Sequence, residues 1–472
     1  MRRLRLPPHL RDTMVYLVTI ITSQLTSFLL LPIITRFLGP SEYGEYALAL
    51  SVASLIGMIG SSWIRIVGFR FYFDALTESR TRSFYWSMAL LQAAALIAAF
   101  AVGIWLLPRL SEDLVPLPTL LAAALMMLTS DFQALTASYI RAEKQSGRFA
   151  VAEISTALTR LVGTTLGLFL GFTQPAFLFL AAAGAAALGG GIAYVLLAPR
   201  LLGPARPSPA TMRQILERAP GALPWSVGQW FGRLADRLVL NAYTTTAVVG
   251  IYSAGYTLSD RIVGGLADAV FLMAWPDILS SWNDGGVERA RLAVRRYFQI
   301  FLWLTVGPVV ALAVFADAIT GLMLGAGYQG AAEVLGLVAL AAWIRGLRAG
   351  LTRHFELQKR FYALSMMTVA GAALHLVLNL VLVPRYMAIG AGIAAVAAQL
   401  ALTLVALLIR DRDLVWFPAS DALLVTGVTV GVMVATVMVL GASIAGFVSF
   451  ALLYAVLTAV VWSRRVRGDN PG

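Results

Sequence analysis

The chain has no cysteine, which excludes disulfides, thiol nucleophiles and thiolate metal sites. Histidine is almost as scarce. His9, His354 and His375 are far apart in sequence, so no metal centre is expected of them. Charge is thin too: Asp, Glu, Lys and Arg make up 13% of the 472 residues, about half the share of a soluble domain. Acidic residues are the rarer sign, 24 against 36 Lys and Arg, which leaves a net charge of +12. No glycine-rich loop ends in Lys-Ser or Lys-Thr, so no ATP-binding element is expected. No Ser-His-Asp order or HExxH motif stands out, and neither an enzyme nor a bound cofactor is expected. No gap between apolar runs is long enough for a folded soluble domain.

What is abundant is apolar surface. Hydrophobic residues are 59% of the chain, more than a water-soluble core of this size can bury. The cations sit in short clusters between long apolar runs, a pattern that argues against nucleic acid as a partner. A bilayer core needs roughly 20 apolar residues per helix. Such segments fall near 14–35, 43–64, 83–107, 117–140, 149–170, 175–198, 219–241, 249–275, 296–318, 331–350, 362–383, 388–409, 419–440 and 443–462. The expectation is an all-α, polytopic membrane protein of about fourteen transmembrane helices. The run from Met14 to Thr35 is too long for a signal-peptide core and reads as a retained first helix.

Lys and Arg alternate between gaps. The N-terminus and every second gap hold Arg2, Arg3, Arg5 and Arg11; Arg65, Arg70, Arg80 and Arg82; Arg141, Lys144 and Arg148; Arg200, Arg206, Arg213 and Arg218. Then come Arg289, Arg291, Arg295 and Arg296; Arg345, Arg348, Arg353, Lys359 and Arg360; Arg410 and Arg412; and Arg464, Arg465 and Arg467. The intervening gaps hold only Arg36, Arg109 and Arg385. The positive-inside rule then places both termini in the cytoplasm.

The chain echoes itself. Tyr43-Gly44-Glu45-Tyr46-Ala47 and Val249-Gly250-Ile251-Tyr252-Ser253 each open a helix. That register places Gly44 on Gly250, Tyr46 on Tyr252, Ser51 on Thr257 and Ser54 on Asp260. It implies two parallel six-helix lobes, 1–205 and 206–415, with two added helices and a tail over 416–472. Polar side chains line several segments. The seventh carries Gln229, Arg233, Arg237 and Asn241 at i, i+4 spacing, with Asp236 three residues from Arg233. The eighth carries Ser253, Thr257, Asp260, Arg261, Gly264 and Asp268, read as one side. The fifth has Glu153, Thr156, Arg160 and Thr164; the fourth has Asp131 and Ser138; the second ends at Arg65. The first is charge-free but polar, with Thr19, Thr22, Ser23, Gln24 and Thr26. Intramembrane charges are expensive and usually functional, so a wet central cavity for an anionic solute is expected; internal ion pairs that lock helix packing are the other reading. Gly163, Gly167 and Gly171 read as a close-packing ladder. Pro32, Pro224 and Pro308 are expected to bend their helices.

The stretch from Thr35 to Tyr46, Thr-Arg-Phe-Leu-Gly-Pro-Ser-Glu-Tyr-Gly-Glu-Tyr, resembles the opening signature of bacterial polysaccharide flippases. These are the O-antigen and exopolysaccharide transporters of the multidrug/oligosaccharidyl-lipid/polysaccharide exporter superfamily. Ala235–Leu240, Val249–Tyr256, Gly327-Tyr328 with Ala331-Ala332, and Asn379–Tyr386 before Gly390–Ala395 look like the same family. One departure is the glycine usual after Pro-x-Tyr, replaced here by Met387. The resemblance implies translocation of undecaprenyl-diphosphate-linked oligosaccharide from the inner to the outer leaflet by rocking of two lobes. It implies Arg36, Arg65, Arg160, Arg233, Arg237 and Arg261, with Gln229 beside them, as substrate-binding candidates. Asp131, Glu153, Asp236, Asp260 and Asp268 are candidate H+ or Na+ sites. It also implies a cytoplasmic (inner) membrane location, a monomer, polysaccharide polymerase and glycosyltransferase partners, and a lipid-tail groove beside the last two helices. The alternatives are a flippase for the peptidoglycan lipid precursor and a cation-coupled multidrug antiporter. The latter typically carries a carboxylate in its first helix, and none lies between Met14 and Thr35.

Overall fold

The computed structural model describes residues 8–77, 79–110, 115–143, 145–197, 205–218, 223–358, 360–411, 414 and 419–468. Of the loop cations above, Arg2, Arg3, Arg5, Lys144, Arg200, Lys359 and Arg412 lie outside them. The described residues are helical almost throughout and contain no strand. Packing divides the chain into two compact units, Met1–Leu238 and Val239–Gly472.

In the first unit, α1 (Pro8–Phe37) leads to α2 (Pro40–Gly57), which opens with Pro40 at its first position, where the missing N–H costs nothing. A π-helical turn, Met58–Ser62, carries α2 into α3 (Trp63–Thr77) without a break in the rod. Then follow α4 (Thr81–Leu110), α5 (Leu117–Ala142), α6 (Ser146–Phe169), α7 (Pro175–Leu197), the short amphipathic α8 (Pro209–Arg218) and α9 (Leu223–Tyr243). The core gathers Ile64, Tyr72, Tyr85, Met88, Tyr139 and Ile140. Ile215 of α8 is fully buried in it, and the N–H of Ser208 donates to Ser87 Oγ at 2.7 Å. The unit boundary falls inside α9 because the first part of that helix is anchored here: buried Trp230 donates its indole N–H to the Ser51 carbonyl at 2.9 Å.

The second unit contains α10 (Thr246–Ser259), a second π turn (Asp260–Gly264), α11 (Gly265–Val314), α12 (Ala316–Met323) and a 3-10 turn, Ala326–Ala331. It continues with α13 (Ala332–Leu351), α14 (Arg353–Leu357), α15 (Phe361–Ile409), α16 (Ala419–Leu440) and α17 (Ile444–Gly468). The two longest helices are each interrupted once, α11 at Gly286 (φ 62°) and α15 at Met387 (φ 48°). Glycine takes that backbone freely; a methionine there holds strained geometry. The last two helices pack on α11: the Tyr454 hydroxyl donates to the Trp303 carbonyl at 2.6 Å, and Phe315 meets Phe447 and Phe450.

Among the described residues, eight stretches are long and apolar enough to cross a membrane, including Pro40–Ile66, Leu117–Ala142 and Ala326–Leu351; Leu424–Leu440 and Ile444–Ala459 are apolar but shorter. Leu408 and Met438 are more than 80% exposed, which suits a lipid solvent and not water. The chain is a multi-pass, all-α membrane protein.

Three expectations need correction. Pro224 sits at the second position of α9 and starts that helix instead of bending it. The glycine ladder of α6 is not one packing face. A Cβ on Gly167 would collide with the Phe177 ring, whereas Gly163 faces open space and Gly171, at φ +92°, terminates the helix. The polar run from Ser253 to Asp268 does not keep to one side: Ser253 and Gly264 are buried while Arg261 and Asp268 are exposed, because the π turn interrupts the α-helical phase.

Candidate functional site

Polar groups inside the spans gather beside the two π turns. In the first unit, Asp131 of α5 faces the turn Met58–Ser62. The Ser61 hydroxyl and the Arg65 guanidinium both donate to its carboxylate, the latter at 2.7 Å. Ser61 and Arg65 stand one turn apart on the bulged rod, so both reach the same group. Two residues on, and therefore on another face of α5, Gln133 donates to Thr156 at 2.9 Å and reaches Glu153 of α6 at 3.5 Å. A Cβ on Gly189 of α7 would overlap the Thr156 hydroxyl, so a bare glycine makes room for this second cluster. Arg160 is half-buried on α6, and its side chain has no hydrogen-bond partner among the described residues.

In the second unit the π turn itself supplies the carboxylate. Asp260 receives Nη2 of Arg345, from α13, at 2.5 Å. A Cβ on Gly264 would sit 2.7 Å from both the Arg345 nitrogen and the Asp260 oxygen. The absent side chain is what lets α13 bring its arginine so close. One turn along α13, Arg348 donates to Gln399 of α15 at 3.2 Å. Beyond the span, Arg353 pairs with Glu356 and lies over the rings of Phe271, at 3.6 Å, and Trp275. His354 is buried next to it, and burial pushes its pKa below the ordinary value for imidazole.

On α9, Asp236 and Arg237 pair with each other at 3.0 Å and are both buried. Arg237 also donates to the Arg233 carbonyl at 2.9 Å. Asp236 thus neutralises Arg237, not Arg233; the Arg233 side chain is exposed and has no hydrogen-bond partner among the described residues. Gln229 is half-buried on the same helix. Arg36 is exposed near the end of α1 and donates to the Pro32 carbonyl at 3.1 Å. The hydroxyls of Thr19 and Thr26 bond back to their own helix, donating to the carbonyls of Val15 and Thr22. They are internally satisfied, as threonines in apolar spans commonly are.

Of the residues singled out from sequence, the structure joins Arg65 to Asp131 and Arg237 to Asp236. It leaves Arg36, Arg233, Arg261 and Asp268 on exposed positions. The partner of Asp260 was missed. Arg345 and Arg348 were counted among the loop cations, but they lie inside α13, within the apolar stretch Ala326–Leu351. The signal was available: their three-residue spacing continues a helical face that ends only at Leu351. Among the described residues, no cluster of three His, Cys, Asp or Glu side chains could hold a metal ion.

A family profile described as polysaccharide biosynthesis protein matches residues 9–277. The chain belongs to that family. A search of the curated proteins finds no match. Among solved structures, the fold is similar to lipid II flippase MurJ in an inward closed conformation, with a TM-score of 0.74 at 11% identity, covering 97% of this chain and 99% of that one. It is also similar to the MATE multidrug transporter DinF-BH, with a TM-score of 0.60 at 14% identity over 88% and 99% of the two chains. A third likeness is to a MOP superfamily transporter from Pyrococcus furiosus, whose binding pocket is described as reversed in polarity; there the TM-score is 0.52 at 14% identity over 88% and 94%. The fold is therefore that of the MurJ and MATE transporters, and the family is the one described as polysaccharide biosynthesis protein.

Proposed function

We propose that this protein flips undecaprenyl-diphosphate-linked oligosaccharide from the inner to the outer leaflet of the bacterial cytoplasmic membrane, by alternating access, for cell-surface polysaccharide assembly. Both termini lie in the cytoplasm on this reading. Family membership supports the polysaccharide class of cargo. The observation that carries the chemistry is the sign of the charge beside the π turns. Asp131 answers one arginine, Arg65, and Asp260 answers Arg345, while Arg348 has only a neutral amide opposite it. Arg160 adds a cation on α6, a helix that also carries Glu153. Such excess positive charge suits a diphosphate head group, because intramembrane ions persist where a counter-charge or water can meet them.

The membrane potential favours this direction. Each elementary charge is worth about 2.3 kcal/mol per 100 mV, so a diphosphate leaving an inside-negative cell gains roughly 4–5 kcal/mol. Asp131 and Asp260 are already hydrogen-bonded to arginine, so proton or sodium coupling is better assigned to Glu153, which accepts from the neutral amide of Gln133 at 3.5 Å. The test is reconstitution of the full chain in liposomes with fluorescent lipid-linked oligosaccharide. Probe appearing in the opposite leaflet, faster with an imposed potential of the right sign, is the expected result. Probe retained in the starting leaflet under either a potential or a cation gradient would sink the proposal. Equal export of lipid II would move the chain to the peptidoglycan-precursor reading.

A further inference from the structure

A groove of about 960 Å³ runs along α11 and α17 in the second unit, apart from the polar clusters above. Its long wall is apolar, with Ile300 and Leu304 prominent. One end is charged: Asp277, Arg289 and Arg296 line it on either side of Gly286, the break between the two limbs of α11. All three are exposed, and among the described residues none of their side chains has an ion-pair or hydrogen-bond partner. Arg289 lies across the break, since a Cβ on Gly285 would meet its Cδ at 2.1 Å. Deeper in the groove is Trp303. It is 4% exposed, and its indole Nε1 is buried without an acceptor. A buried donor with no partner costs about 1–3 kcal/mol, so an acceptor brought to Trp303 relieves that cost. Arg296 and Trp303 are about seven positions apart along the helix, about 10 Å of rise.

We propose that this groove binds a resident bilayer glycerophospholipid whose head group carries both a phosphate and a primary ammonium. Arg289 and Arg296 take the phosphate, as basic pockets between membrane helices do. Asp277 takes the ammonium. The Trp303 indole donates to an ester carbonyl, and the upper acyl chain lies on Ile300 and Leu304. This occupant answers Asp277, Arg289, Arg296 and Trp303 together. A purely anionic head group leaves Asp277 facing a phosphate. A trimethylated ammonium has no N–H for the carboxylate. A polyprenyl diphosphate has neither an ammonium for Asp277 nor a carbonyl for Trp303. The assignment requires only that the chain is embedded in a bilayer, so it does not depend on the flipping assay.

The experiment uses the delipidated full chain in detergent. Phosphatidylethanolamine, phosphatidylglycerol and phosphatidylcholine of matched acyl chains, and undecaprenyl phosphate, are titrated separately by native mass spectrometry, with thermal unfolding as a second readout. Phosphatidylethanolamine is expected to bind at least five-fold tighter than the other lipids. Asp277→Asn, at an exposed position, is expected to lower it to the phosphatidylglycerol level. Trp303→Phe is expected to weaken all three glycerophospholipids alike and to leave undecaprenyl phosphate unchanged. Equal binding of the three head groups by the wild-type chain would overturn the proposal. So would an undiminished preference in Asp277→Asn, or displacement of phosphatidylethanolamine by undecaprenyl phosphate at equal concentration.

Discussion

The two units build one motif with opposite polarity. In each, a helix is bulged by a π turn, and an ion pair at the bulge ties it to another helix of the same unit. In the first unit the bulged rod carries the arginine, Arg65, and α5 carries the carboxylate, Asp131. In the second the π turn carries the carboxylate, Asp260, and α13 carries the arginine, Arg345. In the register that places Gly44 on Gly250, the two bulges start about one helical turn apart. The backbone device and the act of pairing are shared; the placement of the charges is not. The ion pair is thus a packing requirement that either arrangement meets, while the local potential is free to differ between units.

The largest effect is expected from Arg345→Ala, which leaves Asp260 in an apolar span without its cation. The orphaned Asp260 side chain is 29% exposed, so the cost is below that of a fully buried pair, about 2 kcal/mol, read as a drop in Tm in detergent. The exchange of Asp260→Arg with Arg345→Asp gives the second unit the polarity of the first. It is expected to recover most of the lost Tm without recovering flipping. Recovery of both would make the pair purely structural. Asp131→Ala is expected to cost a comparable amount, about 1–2 kcal/mol, because Arg65 is 31% exposed at its side chain and keeps access to water.

Glycine substitution sharpens the contrast on a smaller scale. Gly264→Ala drives a methyl into the Asp260–Arg345 pair and is expected to cost about 1–3 kcal/mol. Gly57→Ala, just before the first bulge, meets only the Met127 sulfur at 3.6 Å and is expected to be neutral within about 0.5 kcal/mol. Similar losses at both sites would refute the contrast between Gly264, which makes room for an ion pair, and Gly57, which does not.

The smallest effects come with pH, and they have opposite signs. His354 is held neutral by burial, so its folded pKa lies below the ordinary 6.5 and the unfolded chain binds the proton more readily. The second unit therefore loses stability as pH falls below about 6.5. Tyr72, outside the spans, donates to Glu143; burial first, and then that carboxylate, push its pKa above the ordinary 10.0. The first unit therefore loses stability as pH rises above about 10. Hydrogen exchange resolved by unit is expected to show acid loosening in α14 and alkaline loosening in α3. Uniform loosening at either extreme would contradict this.

Much of the fold was legible in the sequence because lipid demands long apolar runs, and such runs are visible without partners. The membrane class followed directly from them. The site was only partly legible. Asp131 and Arg65 stood out as charges in apolar company, but no sequence pattern shows that Asp131 of α5 meets the bulge before α3. Arg345 was hidden by its place near a helix end, where a cation reads as a loop residue. Asp236 was matched to the wrong arginine because spacing allows Arg233 and geometry selects Arg237. Met387 was noticed as a missing glycine; that its backbone sits at φ 48° emerged only from the structure.

Each π turn inserts one residue into an otherwise regular screw. Everything beyond it is rotated by about 100° from where an unbroken α-helix would place it. A helical wheel drawn through such a rod therefore mixes two azimuths, and only one side of the bulge can be read at a time. The extra residue works as a phase shifter. Deleting a single position there would leave the composition of the helix almost untouched and aim Arg65, or Asp268, at a different neighbour.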